Sequence, residues 1–349
     1  NADDLDCRVQ AGVTREQLNA ELKGTGLFFP IDPGANATLG GMASTNAGGL
    51  RTVRYGNMGE QVLGVDVALP DGSVVHRHSQ VRADNTGYDL ASLFIGAEGT
   101  LGVITGLDLR LHPVPAHRVT AVCGFSTLAA LVAAGRVLRD TDAIAALEMI
   151  DGRAAALAAE RLGVPVPVAG PWLLLIELAG DTDLTEQLAD ALDCTDLAGE
   201  PAVGIDAAAQ QRLWQVREST AEVVGMFGPP LKFDVSLPLS VIPAFAADAA
   251  GLVGEHAPEA IPILFGHIGE GNLHLNVLRC GAEQERHLYA AMMKLIAAHG
   301  GNVSSEHGIG SRKRAYLGMS REPADIAAMR AIKAAFDPTG YLNPAVLFD

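Results

Sequence analysis

Hydrophobic and polar positions form two textures that change near residue 115. In the first part, apolar positions alternate over short runs broken by glycine. NADDLDCRVQAGVTREQLN (1–19) reads as a strand running into a helix. GVDVALPDGSVVHRH (64–78) alternates on both sides of Asp71-Gly72 and predicts a hairpin with a tight type I′ turn. LFIGAEGTLGVITGLDLRLHPVP (93–115) predicts a glycine-rich turn, then a strand that stops at Pro113 and Pro115. Between them, GANATLGGMASTNAGGL (34–50) is dense in small residues. That composition suits a flexible linker or a backbone that another object approaches closely; Leu39, Met42 and Leu50 within it, and Ile31 just before it, interrupt the polar character.

From residue 116 the runs lengthen. Strand-like VTAVCGF, WLLLIELA and IPILF alternate with helical STLAALVAAGRVLRD, DLTEQLADALD and AAAQQRLWQVRESTAEVVG. This alternation predicts an α+β fold with helices on one side of a sheet. Ser126 is the expected cap of the first helix, and Asp181 or Asp183 of the second. Near the end, REPADIAAMRAIKAAFDPTGYLNP predicts an amphipathic helix stopped by Asp337-Pro338.

The chain has 349 residues, 48% hydrophobic and 19% charged, which predicts a folded protein of two domains. Its net charge of -16 argues against nucleic-acid binding, which needs a basic surface. A local Arg/Lys cluster can still receive an anionic substrate. Four cysteines (Cys7, Cys123, Cys194, Cys280) form no CxxC pair and are expected as buried, reduced thiols of a cytoplasmic protein. No apolar run reaches the roughly 18 residues of a membrane span, and no signal peptide is visible. The text opens at Asn1 in mid-phrase, so a natural segment is expected before it.

The densest chemistry lies in FGHIGEGNLHLNV (265–277). His267 and His274 flank Gly269, Gly271 and Asn272, and a glycine turn lets them converge. His274 and Asn276 are two apart, so on a strand they share a face. SSEHGIGSRK (304–313) adds Glu306 and His307 beside flexible backbone. Two histidines and Glu306 suit zinc or manganese with positions left for substrate; Glu270 competes as the carboxylate, and ordinary loop residues would look the same. Arg217, in RLWQVREST, and Lys232, in PPLKFDVSLP, fall on successive elements and could clamp carboxylates, or simply balance Glu218 and Asp234 at the surface.

Together these segments resemble the FAD-linked 2-hydroxyacid dehydrogenases of the vanillyl-alcohol oxidase superfamily, the group of D-lactate dehydrogenase, the glycolate oxidase flavin subunit and D-2-hydroxyglutarate dehydrogenase. The match runs through VQAGVTREQLN, GLFFPIDPGANATLGGMASTNAGGLRTVRYGNM, VLGVDVALPDGSV, NTGYDLASLFIGAEGTLGVIT, LKFDVSLPL, FGHIGEGNLHLNV, SSEHGIGSRK and FDPTGYLNP. LKFDVSLPL, with Arg217 fifteen residues before Lys232, looks closest to the D-2-hydroxyglutarate branch.

The resemblance implies an α+β fold in three parts. Residues 1–115 would be the C-terminal part of an FAD-binding domain. Residues 116–315 would be a substrate and metal domain with an antiparallel sheet covered by helices. Residues 316–349 would be a helical segment returning to the FAD domain. Flavin contacts are expected at Pro33, Gly34, Thr38, Gly40, Gly41, Ser44, Asn46 and Gly48, at Glu98, Gly99, Gly102 and Ile104, and at Asn343. The family's pyrophosphate loop would precede Asn1.

The implied reaction is FAD-dependent oxidation of an (R)-2-hydroxy acid, of D-2-hydroxyglutarate or D-lactate type, with hydride passing to flavin N5. A divalent zinc or manganese ion on His267, His274 and Glu306 would assist, and His307 would take the proton. Arg217, Lys232 and Asn276 would hold the substrate. The family's substrate-contacting threonine, four residues after the arginine, falls on Ala221; Thr220, one short, is the expected substrate contact in its place. Electron-transfer flavoprotein or a quinone is the expected acceptor, and a homodimer is compatible with the resemblance. The competing function is a non-enzymatic metal- or anion-binding fragment without FAD; a nicotinamide enzyme is disfavoured by the lack of a GxGxxG fingerprint.

Overall fold

A computed structural model describes residues 1–34, 36–78, 81 and 84–348. It divides into two compact units, Asn1–Val114 with Glu306–Asp349, and Pro115–Ser305. The second boundary falls ten residues before the expected 315. The reason is local: the backbone N–H groups of Ile309 and Gly310 donate to Glu98, at 2.8 and 2.7 Å, which ties the 306–310 loop to the first unit.

The first unit is built on a four-stranded antiparallel sheet ordered Asp6–Gln10, Val103–Arg110, Val62–Ala68, Val74–Arg77. One face carries the core, including Val65, Val67, Leu107 and Leu109. The predicted hairpin is present, but its loop holds three residues. Leu69 N–H donates to Ser73 O and Gly72 N–H to Leu69 O, with Gly72 at φ 84°. Pro70 favours this open form, because it presets the first corner and leaves the left-handed position to Gly72. The small-residue stretch is not a linker: Leu39–Thr45 is a short helix capped by Thr38 on the Gly41 N–H. A five-residue helix, Leu90–Phe94, runs into the start of the 93–115 stretch.

The C-terminal helix Pro323–Phe336 packs Ile332 and Phe336 on the same core. Its end is fastened by Asp337, which accepts hydrogen bonds from Lys333 Nζ and from the N–H groups of Leu342 (2.7 Å) and Tyr341 (3.1 Å). The Lys333 hydrogen bond leads in holding the Asp337 carboxyl at about 2, below its ordinary 3.8. A carboxyl depressed on folding stabilises the fold fully above its unfolded value, and that contribution fades as pH falls toward the folded one. Between pH 4 and 2, wild type is therefore expected to lose more stability than Asp337→Asn does, measured as urea midpoints across that range.

The second unit is a seven-stranded antiparallel sheet ordered Ala202–Gly204, His117–Phe125, Trp172–Gly180, Ile144–Asp151, Ile261–His267, Asn272–Leu278, Leu231–Ser236. Helices cover both faces, not one. Leu128–Arg139, Ile242–His256 and Ala282–Ala298 pack on one face; Gly152–Leu162 and Ala207–Gly225 pack on the other. The central strand Ile144–Asp151 is buried at every position, so its near-continuous apolar run reflects two covered faces. Caps shift as well. Thr127, not Ser126, caps the first helix, and Asp183 reaches the Thr185 N–H beyond a side-chain-free cap at Leu184. Of the cysteines only Cys123 is buried; Cys194 is exposed, and Cys7 and Cys280 are intermediate. Among the described residues no helix is long and apolar enough to cross a membrane.

Candidate active site

In the second unit, polar side chains converge on one sheet face, under the helix Ala207–Gly225. The hairpin Ile261–His267/Asn272–Leu278 pairs Phe265 with His274 and His267 with Asn272, so His267 and His274 stand on the same face two rungs apart. Gly271, at φ 71°, makes the return possible; a Cβ there would lie 2.1 Å from Leu237 O. The two imidazole rings meet edge to face, 5.3 Å between centroids. Sequence spacing foresaw this convergence.

What spacing did not reveal is the residue that organises it. Glu148 sits directly opposite His267 on the neighbouring strand. One carboxylate oxygen lies 2.5 Å from His267 Nδ1, and the other accepts from Arg217 Nε at 2.7 Å. Glu148 and Arg217 side chains are 1% and 7% exposed, so this is a buried ion pair. Burial alone would raise the Glu148 carboxyl; His267 and Arg217, by charge and hydrogen bonding, outweigh that and hold it below its usual range. A carboxylate on Nδ1 sets the imidazole tautomer and leaves Nε2 for a ligand. Arg217 also lies over the Phe265 ring at 4.8 Å. One sequence signal was available: Glu148 is the lone charge inside the apolar run IAALEMI. Glu177, alone in LLLIELA, behaves likewise, accepting from Arg118 (2.7 Å) and Trp214 Nε1 (2.9 Å).

Lys232 is opposite Asn276, and Asp234 is opposite His274, so all four side chains share this face. Asn276 is buried and donates weakly to His274 O at 3.4 Å, while Lys232 is exposed. Asp234 approaches His274 Nδ1 at 3.8 Å and accepts from the Ser305 N–H at 3.0 Å. Thr220 is fully buried and its hydroxyl donates to Val216 O within its own helix; Ala221 is exposed. Asn272 Oδ1 is buried without a hydrogen-bond partner among the described residues. Such an atom next to two imidazoles fits a cation-binding face.

In the first unit, the expected flavin residues separate into two groups. Ser44 O accepts from Glu98 N–H at 2.8 Å, Gly59 N–H donates to Asn46 Oδ1 at 2.8 Å, and Asn343 Nδ2 donates to Glu98 O. Three distant segments therefore meet around Ser44, Asn46, Glu98, Gly99 and Asn343. Gly34, Thr38 and Gly41 are exposed and Pro33 partly so, a small-residue edge that fits a flat cofactor. The second group also makes close packing contacts. A Cβ on Gly40 would lie 2.5 Å from Ala11 Cβ, and one on Gly102 would lie 2.4 Å from Val67 Cγ1; Ile104 is in the core. A Cβ on Gly48 would meet Asn57 Oδ1 at 2.7 Å and Glu306 Oε1 at 3.0 Å, which places the Glu306 carboxylate against this backbone. The Glu98 carboxylate itself holds the loop that carries the exposed His307.

The fold is shared with 4-ethylphenol oxidase from Gulosibacter chungangensis (TM-score 0.76, 15% identity, 99% of this chain and 76% of that one). It is shared equally with p-cresol methylhydroxylase (TM-score 0.77, 18% identity, 99% and 76%). Residues 114–347 match the family described as FAD linked oxidases, C-terminal domain, and residues 1–77 match the FAD binding domain. The D-2-hydroxyglutarate dehydrogenase of Stutzerimonas stutzeri is 33% identical over 97% of this chain and 76% of its own length. The mitochondrial enzyme of that name from Bos taurus is 36% identical over 96% of this chain, which spans 63% of it. A probable mitochondrial D-lactate dehydrogenase from Danio rerio is 35% identical over 99% and 72%. The chain belongs to the FAD-linked 2-hydroxyacid dehydrogenase family. That membership does not favour the reading as a non-enzymatic fragment.

Proposed function

We propose that the protein oxidises an (R)-2-hydroxy dicarboxylate of the 2-hydroxyglutarate type to the 2-oxo acid. The observation that carries this reading is the shared Glu148, which fixes Arg217 and His267 side by side on one sheet face. Bound FAD would accept the carbinol hydride at N5, and a zinc or manganese ion on His267, His274 and Glu306 would act as a Lewis acid toward the hydroxyl. Glu306 follows Ser305 directly in the chain.

Arg217 spends Nε on Glu148, so its two terminal nitrogens face the task of gripping a carboxylate in a bidentate bond. Lys232 supplies a flexible point charge for the second carboxylate, and Asn276 Nδ2 a hydrogen bond beside it. Two cations serve a dicarboxylate better than they serve lactate. His307 takes the hydroxyl proton on a ring nitrogen. Phe265, beneath Arg217, excludes water from that side of the guanidinium and strengthens its grip.

The intact protein is assayed with the D and L forms of 2-hydroxyglutarate and lactate and a dye acceptor, before and after chelation. D-2-hydroxyglutarate is expected to be turned over fastest, chelation to abolish turnover, and zinc or manganese to restore it. Full activity after complete metal removal would reject the metal role. Failure of every 2-hydroxy acid to bleach the flavin would reject the function.

A further inference from the structure

On the face of the four-stranded sheet opposite its core, a second set of imidazoles and carboxylates meets. His76 and His78 are two apart on the strand Val74–Arg77 and its extension, so both point to this face. Asp66 is directly opposite His76. Asp108 lies on the next strand, opposite Gly64. Asp66 Oδ1 is 2.5 Å from His76 Nδ1 and 2.6 Å from His78 Nε2. Ligand atoms of these three residues all lie within 4.8 Å of one another. None of them belongs to the reaction proposed above.

We propose that Asp66, His76 and His78 form a binding site for a divalent ion of the zinc class on this face. The second carboxylate is the strongest argument. His78 Nδ1 is 2.7 Å from Asp108 Oδ2, and a ring N–H donated there leaves the Nε2 lone pair turned toward Asp66. In this neutral tautomer Nε2 and Asp66 Oδ1 are two acceptors in close contact, which a cation beside them relieves; a doubly protonated ring would instead donate to both carboxylates.

A cation already stands there. Arg8 NH2 is 2.7 Å from His78 Nε2 and 2.7 Å from Asp66 Oδ2, and its side chain is 57% exposed, free to swing into solvent. The guanidinium marks the position that an ion would take. Zinc bonds of about 2.0–2.1 Å separate tetrahedral ligand atoms by about 3.3 Å, so the donors need to part by less than about 1 Å. His76, 66% exposed, can supply that movement. The bound ion would tie Val74–Arg77, which among the described residues is an edge strand paired on one side only, to its neighbour. One paired and one outer carboxylate with two imidazoles suits zinc better than calcium or magnesium, which prefer all-oxygen sets.

The test uses the intact, tag-free protein, dialysed against buffered zinc and counted by elemental analysis. The double variant His76→Gln/His78→Gln is expected to bind one zinc ion per chain fewer than wild type, with unchanged dehydrogenase turnover. Asp108→Asn should weaken binding at this site roughly 10–100-fold, the usual effect of removing a carboxylate behind a ligating histidine. Arg8→Gln should tighten it, because the competing cation is gone. Equal zinc uptake by wild type and the double variant would overturn the proposal. So would an Arg8→Gln protein that binds zinc no more tightly than wild type. The Arg8 variant also guards against misfolding, since it predicts a gain.

Discussion

Glu148→Ala is expected to destabilise the second unit by about 3–5 kcal/mol, the range for removing one partner of a buried ion pair. Alanine would leave the Arg217 guanidinium, 7% exposed, without its counter-ion, and would strand the His267 Nδ1 side of the ring in a dry environment. It would also open space inside a strand buried at every position. The loss should appear as a lower urea midpoint with little change in slope. Glu148→Gln separates charge from shape. It keeps the volume and one acceptor, so most of the fold should survive, while His267 loses the negative partner that orients it. Metal affinity at His267 and His274 is then expected to fall roughly 10–100-fold. Wild-type stability together with wild-type metal affinity in Glu148→Gln would show that the carboxylate organises nothing.

His307→Asn should lower kcat by about 10²–10⁴-fold, the usual contribution of a positioned general base. KM should change little, because the proposed grip on substrate belongs to Arg217, Lys232 and Asn276. The substitution is structurally mild: His307 is exposed, and its loop is held by the Glu98 carboxylate through the Ile309 and Gly310 N–H groups. Added imidazole should recover part of the rate in the variant and none in wild type. Unchanged turnover would remove His307 from the chemistry.

Legibility followed the range of the interaction. The converging pair His267 and His274 was readable because both residues lie on one hairpin, and the glycine that turns it lies between them. Arg217 was readable as a cation on a helix, but its burial was not. That depends on Phe265 and Glu148, which are 48 and 69 positions away in the chain. A single glutamate in an apolar run does not announce which cation it will meet. The helix cap at Thr127 in place of Ser126 is a smaller case: two adjacent hydroxyls offer the same signal, and backbone geometry chooses between them. The glycine-rich motif shows the same limit. The missing Cβ atoms of Gly40 and Gly102 leave room for Ala11 and Val67, and Ile104 joins the core, contacts that depend on segments outside the motif.

The sequence by itself determined the α+β class, the hairpins and the cofactor family, and it singled out the histidines, arginine and lysine proposed for the chemistry. These follow from local periodicity, turn residues and motif order. Only the tertiary structure decided that both faces of the large sheet are covered, that Glu148 joins Arg217 to His267, that Glu98 holds the His307 loop, and that Asp66, His76, His78 and Asp108 meet on the smaller sheet. Each of these is set by strand register between segments far apart in the chain. Register depends on the summed packing of whole faces, and no short window of sequence contains that sum.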